Sequence, residues 1–304
     1  MSWEFDRSCA HDVTADGSVI AGTGYSRGLG TKAVRWSGGS PYDISNNKPF
    51  TGVAAISADG SAIVLTGSKT YRLNQDGTLH QIGGDYYCSA TGISADGSVV
   101  VGAYLPVPGQ QAFRWTETAG IQVLGFLPGG AGSSASAVSG NGLVVVGMSD
   151  CTEGGQAFRW TQEGGMQGLG DLPGGAFSSK ALAASFDGSI VVGYSETIDA
   201  NFTLLGESGD PSDPAFRTVE EAFIWDEEHG MRSLMSVLTE EYGLDLSGWW
   251  LSESCDISAD GMTIVGVGLN PAGEYASWMV TLPEPATLAL LAAGGLALLR
   301  RRHA

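Results

Sequence analysis

The chain is short of positive charge. Its 304 residues include four lysines, and 15 Lys and Arg together face 33 Asp and Glu, for a formal net charge of −18. Such an acidic surface repels phosphate, which argues against nucleic acid as a partner. Cysteine is sparse as well. Cys9, Cys88, Cys151 and Cys255 lie far apart and make no Cys-x-x-Cys pair, so zinc-ribbon and thioredoxin-like readings have no support. His11, His80, His229 and His303 share no ligand spacing, and no Gly-x-Ser-x-Gly, His-Glu-x-x-His or P-loop string occurs. No catalytic, metal-binding or cofactor-binding residue is therefore assigned. The apolar run near the end of the chain, Ala286–Leu299, has 14 residues, fewer than the ~20 of a relaxed membrane-spanning helix. The start, MSWEFDRSCAHDVTADG, has no basic segment, apolar core or small-residue cleavage site of a signal peptide.

Glycine, by contrast, is abundant, at 46 residues, which favours many tight turns and an all-β fold. The chain also repeats itself. QAFRWTETAGIQVLGFLPGG at 111–130 returns as QAFRWTQEGGMQGLGDLPGG at 156–175, with 14 of 20 positions identical and an offset of 45 residues. A second block precedes it, as in ATGISADGSVVVG (90–102) and ASAVSGNGLVVVG (135–147), and occurs six times in all, at 10–22, 53–67, 90–102, 135–147, 181–193 and 254–266. Asp-Gly or Asn-Gly between apolar runs predicts a hairpin with a two-residue type I′ turn. The Val-Val-Val run does not alternate, so that strand is covered on both faces. The Ala-Phe-Arg-Trp block predicts a second hairpin.

Two hairpins per ~45 residues make a four-stranded unit of the size of a propeller blade. The fold expected is all-β: a six-bladed β-propeller over residues 1–281, closed by pairing of the N-terminal strand SWEFDR with the strand ending ASWMVTL, followed by a tail (282–304) with a short apolar helix. A solenoid is the alternative, but it needs caps at both ends. The regularity breaks in repeat five, where 196–219 is a long polar insertion containing the sequon Asn201-Phe202-Thr203, and Leu234–Tyr242 has a short helical pattern. Because the Leu-Pro-Gly-Gly block that precedes other repeats is missing before the first, the start is expected to be internal to a longer product.

These residues resemble two known families. The Ala-Phe-x-Trp, Leu-Gly-x-Leu-x-Gly-Gly and Asp-Gly-x-x-Val-Gly blocks are similar to those of HAF-type extracellular repeat proteins, with Gln111, Gln156 or Glu221 where that family has histidine. The tail resembles a PEP-CTERM sorting signal: Pro283-Glu284-Pro285, an apolar run, then Arg300, Arg301 and Arg302. That resemblance implies an exported protein, transiently held in the membrane by its tail, cleaved near the motif by an exosortase-type protease and delivered to the cell envelope or matrix.

Several recurring residues have two readings. The Asp column (Asp16, Asp59, Asp96, Asp187, Asp260, with Asn141) lacks the second carboxylate of a calcium loop and fits turn chemistry. The Arg column (Arg35, Arg72, Arg114, Arg159) is not matched to it repeat by repeat, so stem packing against tryptophan is preferred over an ion pair within each blade. Trp36, Trp115, Trp160 and Trp225 recur once per repeat and read as core, whereas the adjacent Trp249 and Trp250 break the pattern and are candidates for ligand contact. Export permits disulfides. Blade adjacency suggests Cys88–Cys151 and Cys9–Cys255, with four free thiols left open. The leading functional expectation is a non-catalytic structural or binding propeller, with extracellular polysaccharide as a possible ligand. The alternative is a polysaccharide lyase or hydrolase using the repeat-five insertion, because propellers also host such enzymes.

Overall fold

A computed structural model describes residues 5–28, 30–39, 41–45, 50–105, 109–198 and 218–282. Within them the chain is all-β apart from one helical segment, Leu234–Glu241, where a helical pattern was expected. The strands form six antiparallel sheets, each continuous in sequence; five have four strands and the last has three. Blade four is typical: Ser133–Val138, Val144–Asp150, Gly155–Thr161 and the short outer strand Gly165–Gly168. Residues from the inner strands and first turns of all six sheets, among them Asp12, Ile56, Ile93, Gly140, Phe186 and Ile257, line a shared axial cavity of about 280 Å³. The architecture is that of a propeller.

The Asp-Gly turns hold this arrangement together, through a turn different from the one expected. Strands Arg7–Val13 and Ile20–Ser26 are joined by the six residues Thr14 to Val19, not by a two-residue loop. Gly17 N donates to Thr14 O at 2.9 Å, and Gly17 takes φ of 70°, which a side chain would resist. The carboxylate closes the loop from within. In blade three Ser94 Oγ and Ser98 N donate to Asp96 Oδ1 (2.7 and 3.0 Å), while Val99 N donates to Ser94 Oγ (3.0 Å). Asn141 repeats the pattern, accepting from Ser139 Oγ at 2.7 Å and Leu143 N at 3.0 Å. An amide oxygen suffices, so the Asp column is turn chemistry and its occasional Asn is explained. The turns also link neighbouring blades: Ala15 N donates to Ala58 O, Ala95 N to Gly140 O, Asn141 N to Phe186 O and Phe186 N to Ala259 O, at 2.9 to 3.0 Å.

Packing between blades explains the non-alternating valines. Val145 belongs to the core shared with blade three, whereas Val144 and Val146 belong to the core shared with blade five. Phe158 and Trp160 fill the former with Leu124 and Leu127 from the Leu-Gly-x-Leu-Pro-Gly-Gly loop. That loop therefore seals the interface to the next blade. The arginine column also works between blades. Arg72 Nε donates to Gly97 O (2.6 Å) and Arg159 Nε to Gly188 O (3.1 Å), each reaching the Asp-Gly turn of the following blade. The Arg159 guanidinium also lies 5.9 Å from the Trp225 ring centroid. For Arg72 and Arg159 the partner is a carbonyl in the next repeat rather than the Asp of their own.

The expected closure is corrected. Asp6 N donates to Tyr25 O at 2.8 Å, so the described start of the chain runs alongside blade one's second strand rather than blade six. Among the described residues no strand pairs with the outer edge of Tyr275–Thr281, and no turn-to-turn bond links Ala259 or Asp260 to Ala15. Among the described residues, five apolar cores lie between blades one and two through five and six, and none joins six to one. Tyr275, Val265 and Met279 on blade six and Val13 on blade one are exposed instead. Among the described residues the ring is open at this seam. The expected apolar C-terminal helix lies in 283–304, outside the described residues.

The turns predict acid sensitivity. Hydrogen bonds from Ser18 and Thr14 hold the Asp16 carboxyl down at about 2, and Asp187 and Asp260 are lowered by the same kind of contact. For Asp96, burial pushes the other way but the Ser94 and Ser98 bonds outweigh it. A folded-state pKa below the unfolded one contributes stability that is complete above the ordinary carboxylate range and lost as pH falls through the folded value. Unfolding midpoints are expected to drop between about pH 4 and 2. Asp96→Asn should flatten that dependence while keeping the turn, as Asn141 does; an unchanged acid limb in a multiple Asp→Asn variant would contradict the assignment.

Candidate functional site in repeat five

The hairpin of repeat five is the longest among the described residues, with strands Ile190–Ile198 and Thr218–Asp226 of nine residues each. It carries the two ends of the polar insertion; residues 199–217, including the Asn201 sequon, lie outside the described residues. Its register sets Glu196 directly opposite Glu220. Like charges facing across a strand pair are unfavourable. Blade six then adds a third acid. Burial pushes the Glu220 carboxyl up, and a shared hydrogen bond with Glu253, its charge and that of Glu196 act in the same direction. Burial and the same three carboxylates raise the Tyr194 phenol. Trp250, half-buried at the start of Trp250–Ile257, donates its indole N–H to Glu220 O at 2.9 Å, and Trp249 beside it is also half-buried.

One carboxyl of such a group keeps its proton more readily than its neighbours, which is the electrostatic precondition of general acid–base work. Glu220→Gln is expected to raise the unfolding midpoint at pH 7, because it removes a repelled charge. The gain should vanish at pH 3, where the native carboxyl is protonated. Equal midpoints at both pH values would show that the three acids do not interact. Sequence reading marked Trp250 and the insertion but missed the acids. Glu196, Glu220 and Glu253 are 24 and 33 positions apart and meet only through the strand register and the contact between blades.

A second feature lies at the opposite end of the same blade. The turn Asp226-Glu227-Glu228-His229-Gly230 replaces the Thr-capped turns of blades three and four. Asp226 Oδ1 accepts from His229 N (2.8 Å) and pairs with His229 Nδ1 (2.8 Å), while its Oδ2 accepts from Arg232 Nη2 (2.7 Å). Arg232 Nη1 donates in turn to Glu241 Oε1 (2.6 Å) on the helical segment. Burial would raise Asp226, but the His229 bonds and the Arg232 charge outweigh it and leave the carboxyl below its usual range. These groups border a cleft of about 500 Å³ with Tyr242 and Leu282 on its wall.

The four cysteines are free. Neither expected bridge forms, for reasons of facing. Cys88 is buried in the core between blades two and three, and its thiol donates to Ile82 O at 3.2 Å. Cys151 packs in the core between blades three and four, on the other side of blade three. Cys9 and Cys255 flank the open seam, both exposed, with the Cys9 thiol turned to Ala10 O. Trp115, Trp160 and Trp225 are core residues. Pro283, Glu284, Pro285, Arg300, Arg301 and Arg302 lie outside the described residues. Among the described residues no three His, Cys, Asp or Glu are placed to hold a metal ion, and no helix is long and apolar enough to cross a membrane.

Residues 281–302 match the family model of the PEP-CTERM protein-sorting motif. That model does not reach the repeats, so the HAF resemblance of 1–281 gains no support from it. The sequence has no match among curated proteins. Among solved structures the chain is similar to the β-propeller domain of the Trilobed protease from Pyrococcus furiosus, described as having an open velcro topology (11% identity, 90% of this chain and 78% of that one, TM-score 0.53). It is also similar to an acylaminoacyl peptidase of Pyrococcus horikoshii (11%, 93% and 48%, 0.51) and to a candidate TolB of Agrobacterium tumefaciens (15%, 91% and 90%, 0.50). At these identities the likeness is one of fold, and what the comparisons establish is a β-propeller chain that ends in a PEP-CTERM sorting motif, the mark of an exported protein sorted to the cell envelope.

Proposed function

We propose that this chain is an envelope-delivered propeller that works by binding rather than catalysis, and that its tail is a sorting device removed on delivery. The observation that carries the reading is the sorting motif at 281–302, joined directly to a propeller body. The arrangement of the recurring acids agrees with it: each turn carboxylate is committed to closing its own loop. Mass spectrometry of the mature envelope form is expected to find no peptide beyond about Pro285. Intact Arg300–Ala304 in that form would overturn the sorting reading. Extracellular polysaccharide is the ligand class to test first, on a glycan array.

A second reading is favoured by one observation, the raised Glu220 beside Glu253 and Glu196 at the foot of the insertion. It makes the protein a polysaccharide lyase or hydrolase with these acids in the proton transfers. A turnover assay on the glycans bound in the array separates the two. Binding without product supports the first; product formation abolished by Glu220→Gln supports the second.

A further inference from the structure

Arg35 has no hydrogen-bonded or ion-paired partner among the described residues, and its Nε is shielded from water without an acceptor. Its counterpart in the next blade shows what is missing. Arg72 donates Nε to Gly97 O of blade three at 2.6 Å, and its Nη1 lies 3.7 Å from Glu117 Oε2 of the same blade. For Arg35 in blade one the corresponding glycine is Gly60, and that bond is not made. The carboxylate is missing too. Glu117 is the first residue beyond the third strand of blade three, Gln111–Thr116; the residue so placed in blade two, after Thr70–Asn74, is the neutral Gln75. The acids of the two neighbouring turns, Asp59 and Asp76, close their own loops, accepting from Ser57 Oγ (2.7 Å) and Thr78 N (2.9 Å).

A cleft of about 170 Å³ opens here between blades one and two, lined by Arg35, Tyr42, Gly60, Ser61 and Gln75. Tyr42 is the cross-strand partner of Arg35, so both side chains stand on one face of the sheet, and Tyr42 is 41% exposed. The half-buried guanidinium has given up water without regaining hydrogen bonds, and its planar fork matches a carboxylate. The volume falls below the ~300 Å³ at which pockets for drug-sized ligands begin, which suits a single ring. Tyr42 offers an apolar face beside the charge, and Ser61 and Gln75 offer a hydroxyl and an amide. A carboxylate borne on a ring of hydroxyls answers all of these. The net charge of −18 repels a polyanion at long range, so an isolated acidic sugar is favoured over a run of them.

We infer that this cleft binds one uronate residue of a glycan, whose carboxylate takes at Arg35 the place that Glu117 takes at Arg72. This rests on the reading that the protein binds glycans, and it names the sugar class and the residue that selects it.

The test is calorimetric titration of the full chain with a glucuronate-terminated disaccharide and with the same disaccharide carrying that carboxyl reduced to the alcohol. The acid is expected to bind about tenfold more tightly, the effect of one charge-assisted pair. Arg35→Gln should abolish that preference. Arg27→Gln, an equal change of charge at an exposed site, should keep it. Gln75→Glu sets a carboxylate of the chain's own beside Arg35, and is expected to lose the preference while raising the unfolding midpoint. It keeps the inference falsifiable where Arg35→Gln does not fold, which circular dichroism checks. The inference is overturned if acid and alcohol bind alike, if Arg35→Gln or Gln75→Glu retains the preference, or if Arg27→Gln loses it. A chain that binds neutral glycans but shows no preference for the acid overturns this inference and leaves the glycan reading standing; a chain that binds neither overturns both.

Discussion

Gly147→Val is expected to destabilise the protein by at least about 3 kcal/mol, a severe case of overpacking, and to leave little soluble chain. Gly147 ends the Val-Val-Val-Gly run, and a Cβ there would lie 2.1 Å from Ser134 O and 2.8 Å from Ala135 Cα. Neither atom can yield, because both belong to the inner strand at the point where its register shifts between Ala135 and Ala137. The same crowding recurs at Gly22, Gly102, Gly193 and Gly266, each with a carbonyl 2.0 to 2.1 Å from the added carbon. The glycine is thus required by a bulge in the inner strand, and not by an unusual backbone angle. Gly28, with nothing within 4 Å and no positive φ, is the control, and Gly28→Ala should stay within about 0.5 kcal/mol. Urea midpoints of the two variants measure the contrast. A Gly147 variant as stable as the Gly28 variant would mean that the inner strand relaxes freely at its bulge.

Phe158→Ala is expected to cost about 3–5 kcal/mol, and Met279→Ala less than about 0.5 kcal/mol. Both residues sit on the third strand of a blade. Phe158 is fully buried between blades three and four, in contact with the loop leucines Leu124 and Leu127. Met279 occupies the equivalent of the arginine position in blade six and is 72% exposed, because no blade packs on that face. The pair of substitutions therefore reads the open seam directly. Should Met279→Ala cost as much as a core truncation, blade six would be packed against blade one in solution and the ring closed. The midpoint of Met279→Ala alone decides between the two.

Much of the architecture was legible from repetition. A 45-residue offset with two hairpin signals leads to four-stranded units, and six copies lead to six sheets; the helical break at Leu234 was visible from its spacing. The run of valines announced a strand covered on both sides, and the structure divides Val145 from Val144 and Val146 between two cores. Turn type was not legible. Asp-Gly fits a two-residue loop as well as the six-residue one, and the choice belongs to the serine three positions upstream of each Gly, or Thr14 in blade one, which bonds the side chain of the Asp or Asn and the returning strand together. Nor could closure be read. Matching half-blades at the two ends suggested a sealed ring, yet Phe5 lies against Gly24 and Asp6 bonds to Tyr25, which keeps the start of the chain on blade one.

What the sequence determined by itself was whatever repeats or is contiguous: the strand count per unit and the sorting motif at 281–302, each a local pattern that needs no partner distant in the chain. Only the tertiary structure decided which residues face one another. It gave Arg159 the carbonyl of Gly188 in the next blade, set Cys88 and Cys151 on opposite sides of blade three, and gathered Glu196, Glu220 and Glu253 from three strands. The physical reason is that blades two to five bury both their faces against others, and blades one and six one face each. A side chain's partner is chosen by the twist and spacing of neighbouring sheets, and those depend on all the strands at once.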